Sequence, residues 1–134
     1  MSNPGLSNFE SAVVLQWLRF RKLTEARSKM AKQPCVYIQT DSHGQILRIG
    51  AASKGLNVRY RGGTGYAIDA AMHGSGNYVY AVSVPKEICK AVEAMLIYRE
   101  KPVYNNQGKT KPPLKRLRLR HSGDTPAFRS HYSE

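Results

Sequence analysis

Acidic residues are scarce in this 134-residue sequence: nine Asp and Glu stand against 21 Lys and Arg, so the formal net charge is +12. A small protein with this charge attracts polyanions, of which nucleic acid is the usual partner and an anionic membrane surface the main competitor. No stretch approaches the run of about 18 apolar residues that a membrane-spanning helix needs, and residues 1–8 lack the order of a secretory signal. We therefore expect a cytoplasmic, nucleic-acid-associated protein without a membrane partner.

Clusters of metal-binding Cys and His are also missing. The two cysteines, Cys35 and Cys89, lie in separate apolar runs, where free thiols are usually buried and reduced. The four histidines lack the spacing, to a cysteine or to one another, that zinc sites show. The sequence thus argues against a zinc site, and nothing in it points to a small-molecule cofactor.

The apolar content of 41% supports a packed core, and the length fits one compact domain. Apolar residues recur at helical spacing over residues 8–32, and Ser7 and Glu10 form a capping box before them. Residues 109–120 contain six Lys or Arg and a Pro pair, a composition typical of a flexible arm. We divide the chain into an N-terminal helical extension (1–33), a central domain (34–108) and a basic, flexible C-terminal tail (109–134).

The central domain begins with a predicted hairpin. Residues 35–40 and 45–50 are rich in strand-forming side chains, and the four residues between them have turn composition. A four-residue turn places Tyr37 opposite Arg48 on one face of this hairpin. A third strand at residues 77–84 completes the expected α+β fold, which is a small, mainly antiparallel three-stranded sheet flanked by helices. The N-terminal helix and the basic C-terminal extension are additions to it.

A predicted helix that runs from Pro85 to about Tyr98 contains an embedded carboxylate. Glu93 shares its helix face with apolar residues, including Cys89 four positions before it and Ile97 four positions after it. A carboxylate in such a position is costly unless it is paired with a cation or bound to a metal ion. The helix alone leaves these two explanations open.

The order of these elements resembles the GIY-YIG nuclease family over residues 34–106. The matching stretches are Cys35-Val36-Tyr37 and Arg48-Ile49-Gly50 for the two tripeptides, Leu56 and Arg59 for a short basic helix, Glu93 with Ala94 and Ile97 for the metal helix, and Lys101-Pro102-Val103-Tyr104-Asn105 for the closing motif. The sequence departs from the family pattern at Cys35, where the pattern has Gly, and at Arg48, where it has the second Tyr.

The resemblance implies a DNA endonuclease that hydrolyses phosphodiester bonds with Mg²⁺, or Mn²⁺, as its cofactor. Glu93 would hold the ion, Arg59 would hold the scissile phosphate, and Tyr37 would orient or deprotonate the attacking water. Asn105 would brace the site or touch phosphate. Arg48 is expected to replace the missing tyrosine by favouring the Tyr37 phenolate.

Cations around this site are expected to bind the phosphates of DNA, with RNA as an alternative partner. They are Lys54, Arg59, Arg61, Lys109, Lys111, Lys115, Arg116, Arg118 and Arg120. Two other functions stay open. One is a GIY-YIG-like module that binds nucleic acid but has lost cleavage through Arg48. The other is a small basic RNA-associated protein on a different α/β fold, in which Tyr37 and Arg48 would lie far from Glu93.

Overall fold

A five-stranded mixed sheet forms the centre of the fold in a computed structural model, which describes residues 12–56, 78–105 and 108–128. In chain order the elements are β1 (Val13–Phe20), α1 (Leu23–Lys29), β2 (Cys35–Thr40), β3 (Ile46–Ala52), β4 (Tyr78–Ser83), a 3-10 turn (Lys86–Ile88), α2 (Cys89–Glu100) and β5 (Leu119–Gly123). The strands lie in the order β3-β2-β4-β1-β5; β1 and β5 pair in parallel and the other neighbours are antiparallel. The expected α+β class is confirmed.

The N-terminal segment contains a strand where the sequence predicted a helix over residues 8–32. Strand β1 lies between β4 and β5, with Leu15 and Trp17 buried and Val14, Gln16 and Leu18 exposed. This alternation has the period of two that a strand on a covered sheet requires. The same run of apolar residues also fits a helical spacing, and the hydrogen bonds offered by two neighbouring strands decide in favour of the strand. The observed helix α1 is only seven residues long.

The C-terminal segment also contributes a strand, although residues 109–134 were expected to form a flexible tail. Strand β5 pairs with β1 from Val13–Leu119 to Trp17–Gly123. The prediction of a three-stranded sheet is therefore wrong, because one strand is added from each end of the chain. Strands from all three predicted segments pair in a single sheet.

Within the described ranges, two helices cover opposite faces of the sheet. Helix α2 packs on the face that bears the larger apolar cluster, which includes Val36 and Ile38 of β2. Helix α1 packs on the other face, where its Ala26 and Met30 meet a smaller cluster that includes Tyr37. Burial of apolar surface drives both contacts. No helix within the three described ranges is long and apolar enough to cross a membrane.

The β2–β3 hairpin has a different register from the predicted one. Tyr37 pairs with Gly50, and Arg48 pairs with Gln39. The prediction that Tyr37 and Arg48 face each other directly is therefore wrong, but both side chains belong to the same face of the sheet. They are diagonal neighbours, a relation that places Cα atoms about 7–8 Å apart.

Two local features shift the register, each by one residue. At the turn, the Asp41 N–H donates to the carbonyl oxygen of Gln45 at 3.1 Å. Thr40 therefore pairs with Ile46, one residue later than predicted. A bulge then places Leu47 as an extra residue in β3, opposite the step from Gln39 to Thr40, and moves the pairing by one more residue. A single shift would turn every side chain of β3 to the other face, whereas two shifts restore the original face.

Candidate functional site

Tyr37 lies in the interior on the α1 side of the sheet, with 0% of its side chain exposed. Its ring crosses its partner Gly50: a Cβ atom on Gly50 would lie 2.3 Å from both Cζ and Oη of Tyr37. Only glycine leaves room for a ring at this distance. The glycine of the second tripeptide therefore lets the Tyr37 hydroxyl lie over the outer strand β3.

A second polar pair lies beside Tyr37 on the same face. Gln39, which is also 0% exposed, pairs across the hairpin with the partly buried Arg48. Tyr37, Gln39 and Arg48 together are called the polar cluster below. Gln39 was not among the predicted site residues, although it follows Tyr37 by two positions in a strand, a spacing that places both side chains on one face.

Asn105 braces the outer edge of β3. Its Oδ1 accepts a hydrogen bond from the Ile49 N–H at 2.9 Å, and its Nδ2 donates to the Ile49 carbonyl oxygen at 2.9 Å. The Tyr104 N–H donates to the carbonyl oxygen of Leu47 at 2.9 Å on the same edge. The side-chain amide thus pairs with the backbone as a neighbouring strand would. The resemblance implies that Asn105 either braces the site or contacts phosphate, and these two hydrogen bonds to the Ile49 backbone fit the first role.

Glu93 lies partly buried on α2, one turn after Cys89. Burial raises the pKa of the Cys89 thiol, and the negative charge of Glu93 raises it further. The Cys89 Sγ lies 3.8 Å from the Cys35 carbonyl oxygen and 3.9 Å from that of Val84. Glu93 is therefore carried by a helix that packs on the sheet face opposite to Tyr37.

The structure thus brings Tyr37, Arg48 and Asn105 together around β3, but the helix that carries Glu93 packs on the sheet face opposite to Tyr37 and Arg48. Strand β3 is at one end of the strand order, and α2 packs against it. A site that includes Glu93 would therefore have to extend around the outer edge of β3, where Asn105 lies. Arg59 and Arg61 lie outside the described residues.

Few side chains in the described part of the chain could serve as ligands for a divalent ion. Among the described residues, no group of three or more His, Cys, Asp or Glu side chains could hold a metal ion. Mg²⁺ is commonly held by only one or two carboxylates, while waters and substrate phosphate oxygens complete its coordination. The single carboxylate of Glu93 fits this mode and does not fit an ion enclosed by protein ligands.

The predicted phosphate-binding cations that lie in described segments are largely accessible. Lys109 and Arg118 are partly buried, and the exposed members are Lys54, Lys111, Lys115, Arg116 and Arg120. The two cysteines are free and buried, as predicted. Burial, together with the nearby Cys89, raises the pKa of Cys35 to about 12, so this thiol is not a nucleophile near neutral pH.

No protein-family model, no curated protein and no solved structure matches this chain.

Proposed function

We propose that this chain is a metal-dependent endonuclease that hydrolyses phosphodiester bonds of DNA at the outer edge of β3, with a GIY-YIG-type arrangement of residues. The observation that supports the proposal most is the position of Tyr37 across Gly50, with Arg48 as its diagonal neighbour. These residues come from both tripeptide motifs, and Asn105 of the closing motif braces the Ile49 backbone beside them.

Tyr37 would orient the attacking water or take a proton from it. A tyrosine hydroxyl is only weakly acidic, and a neighbouring guanidinium favours its phenolate form. Arg48 supplies such a charge on the same face of the hairpin. Because Tyr37 is buried, binding of the substrate has to open the chain around its hydroxyl before water or phosphate can reach it.

Glu93 would hold Mg²⁺ through its carboxylate, and the bound ion would supply positive charge for the leaving oxygen. Asn105 would keep the edge of β3 in place between the Glu93 side and the Tyr37 side of the sheet. Arg59 would bind the scissile phosphate. Leu56, three residues before Arg59 in the sequence, packs in the same cluster as Tyr37.

DNA affinity would come mainly from the cations. A net charge of +12 predicts phosphate contacts by several Lys and Arg side chains, and therefore affinity that falls steeply as salt rises. Lys54, Lys111, Lys115, Arg116 and Arg120 are exposed, and in this proposal they make such contacts.

A second function is favoured by one specific observation. The carboxylate of Glu93 and the ring of Tyr37 lie on opposite sides of the sheet, and Tyr37 is fully buried. This separation is the sign expected of a small basic RNA-associated protein on a different α/β fold, and a nucleic-acid-binding module that no longer cleaves would also tolerate it. It would bind DNA or RNA through the same cations and would not need Glu93.

A plasmid-nicking assay separates the two functions. The parent protein, Glu93→Gln and the control Glu87→Gln are compared with Mg²⁺, with Mn²⁺ and with EDTA. Glu87 is an exposed glutamate in the turn before α2, so its variant controls for the loss of one negative charge. Metal-dependent nicking by the parent and Glu87→Gln, but not by Glu93→Gln, is the expected result. Salt-sensitive binding without nicking by any of the three proteins would overturn the endonuclease and favour the binding module.

A further inference from the structure

Residues 108–118 carry the most exposed of the large apolar side chains in the described parts of the chain. Leu114 is fully exposed, with a relative accessibility of 105%, whereas the next, Val14, reaches 56%. A single exposed apolar residue is common on protein surfaces and needs no special explanation by itself. The surroundings of Leu114 therefore decide whether it has a role.

The residues on both sides of Leu114 are unusual for a plain surface turn. Pro112 and Pro113 precede it, and the exposed Lys115 and Arg116 follow it. The two prolines restrict the backbone, so less conformational entropy is lost when the tip becomes ordered on a partner. The cations attract phosphate groups to the same place.

The loop is fixed to the fold at both ends. At its start, the Lys101 Nζ donates a hydrogen bond to the carbonyl oxygen of Lys109. At its end, Leu117 packs against the larger apolar cluster, and the Val13 N–H donates to the Arg118 carbonyl oxygen at 2.8 Å. Leu114 therefore lies in a loop that is held to the fold at both ends and not in a free tail.

The loop also begins next to the candidate site. Lys101 follows α2 directly and precedes the segment in which Tyr104 and Asn105 bind the outer edge of β3. The loop then ends at β5, which lies at the other end of the strand order, so it connects the two ends of the sheet.

We infer that residues 108–118 bind duplex DNA in the minor groove and insert Leu114 between two base pairs, while Lys111, Lys115 and Arg116 hold the adjacent phosphates. Apolar side chains such as Leu act as wedges of this kind in proteins that bend DNA, and they partly unstack the step that they enter. One leucine buries too little apolar surface to hold a protein on a membrane, which favours DNA as the partner. The inference depends on the nucleic-acid binding in the proposed function, but not on cleavage.

Unwinding of plasmid DNA tests the wedge without any cleavage. The parent protein is bound to relaxed plasmid in EDTA, a topoisomerase that needs no metal ion is added, and the linking number is read on a gel after the protein is removed. EDTA prevents metal-dependent nicking, so failure of the endonuclease proposal does not affect this readout. We expect the parent to lower the linking number in proportion to the protein bound, because a wedged base step is unwound.

Leu114→Ala should reduce this change by about tenfold at equal occupancy, because the side chain that unstacks the bases is removed. Its DNA affinity, measured by filter binding, should fall far less than that of Lys115→Gln/Arg116→Gln, which loses phosphate contacts. Val14→Ala, which shortens an exposed apolar side chain on β1, is the matched control and should behave as the parent does.

Three results would overturn the inference. The first is no change in linking number when the parent saturates the plasmid, and the second is equal unwinding by Leu114→Ala and the parent. The third is binding by the parent to single strands, to RNA or to anionic vesicles but not to duplex DNA.

Discussion

From Val36 to Gln39, the two faces of strand β2 bury different kinds of side chain. On the α2 side, Val36 and Ile38 join the larger apolar cluster. On the α1 side, Tyr37 and Gln39 carry a hydroxyl and an amide into the interior. Buried polar groups stabilise a fold little and cost free energy when their hydrogen bonds are incomplete. Apolar burial on the α2 side therefore stabilises the hairpin, whereas the proposed function assigns its chemistry to the polar groups on the α1 side.

Strand β3 repeats this division. Ile49 and Ala51 belong to the apolar cluster on the α2 side, while Arg48 and Gly50 lie on the side of Tyr37. The polar cluster is therefore built by both strands of the hairpin. Substitutions on the two faces of this hairpin should consequently affect different properties: those on the α2 face should mainly lower stability, and those on the α1 face should mainly lower activity.

The largest loss of stability is expected on the α2 side. Ile38→Ala removes apolar atoms from a fully buried position and should lower the free energy of unfolding by about 2–5 kcal/mol. The rate of nicking per folded molecule should stay near that of the parent. Urea unfolding gives the stability, with Val14→Ala as an exposed control. A loss no larger than that of Val14→Ala would contradict the role assigned to this face.

Gly50→Ala should cause the next largest loss, about 1–3 kcal/mol, because the new Cβ atom overlaps the Tyr37 ring. The cost depends on that ring. In a Tyr37→Ala background, the same Gly50→Ala change should therefore be nearly neutral in urea unfolding. An equal loss in both backgrounds would show that position 50 requires glycine because of its own backbone and not because of the Tyr37 ring across it.

Acid sensitivity tests whether the α2 side depends on a neutral histidine. Trp17 Nε1 donates to Nδ1 of His121 at 3.0 Å, and burial lowers the pKa of His121 from 6.5 to about 4. The fold therefore favours the neutral ring. The resulting stability is fully present above about pH 6.5 and is lost as the pH falls towards about 4.

His121→Gln keeps a hydrogen-bond acceptor near Trp17 but cannot be protonated in this range. The melting temperature, followed by the fluorescence of this single tryptophan, should thus fall less between pH 7 and pH 4.5 in the variant than in the parent. Equal falls would mean that other groups cause the acid sensitivity.

The smallest change in stability is expected for Gln39→Leu, which replaces a buried amide with an apolar side chain of similar size. The free energy of unfolding should fall by about 1 kcal/mol, because the polar groups beside the amide lose a partner although the new side chain fills the same volume. The nicking rate should nevertheless fall by about tenfold or more, because Arg48 loses the polar residue paired with it across the hairpin. A variant that nicks as fast as the parent would remove Gln39 from the site.

Local patterns predicted the middle of the chain well and its ends poorly. The strands expected at residues 35–40 and 77–84 are present as β2 and β4, because alternation, turn residues and β-branched side chains agree there. Strand β1 was missed because its partners, β4 and β5, lie far away in sequence. Strand β5 was missed because its high charge suggested a tail, although Leu117 and Leu119 alternate with arginines.

The site was predictable only in part. Tyr37, Arg48 and Asn105 were identified from motifs, and the structure gathers them around β3. Their exact partners were not predictable, because the bulge at Leu47 changes the pairing and leaves no sequence signal. The position of Glu93 across the sheet depends on how α2 packs, which is set by the tertiary fold and not by the helix sequence.

The most direct test of the central claim is the nicking rate of Tyr37→Phe in Mg²⁺ at saturating DNA. This change removes the hydroxyl but keeps the ring that crosses Gly50, so the protein should fold and bind DNA as the parent does. We expect the rate to fall by about a hundredfold or more, because the group that activates the water is lost. A Tyr37→Phe protein that nicks DNA as fast as the parent would contradict the account.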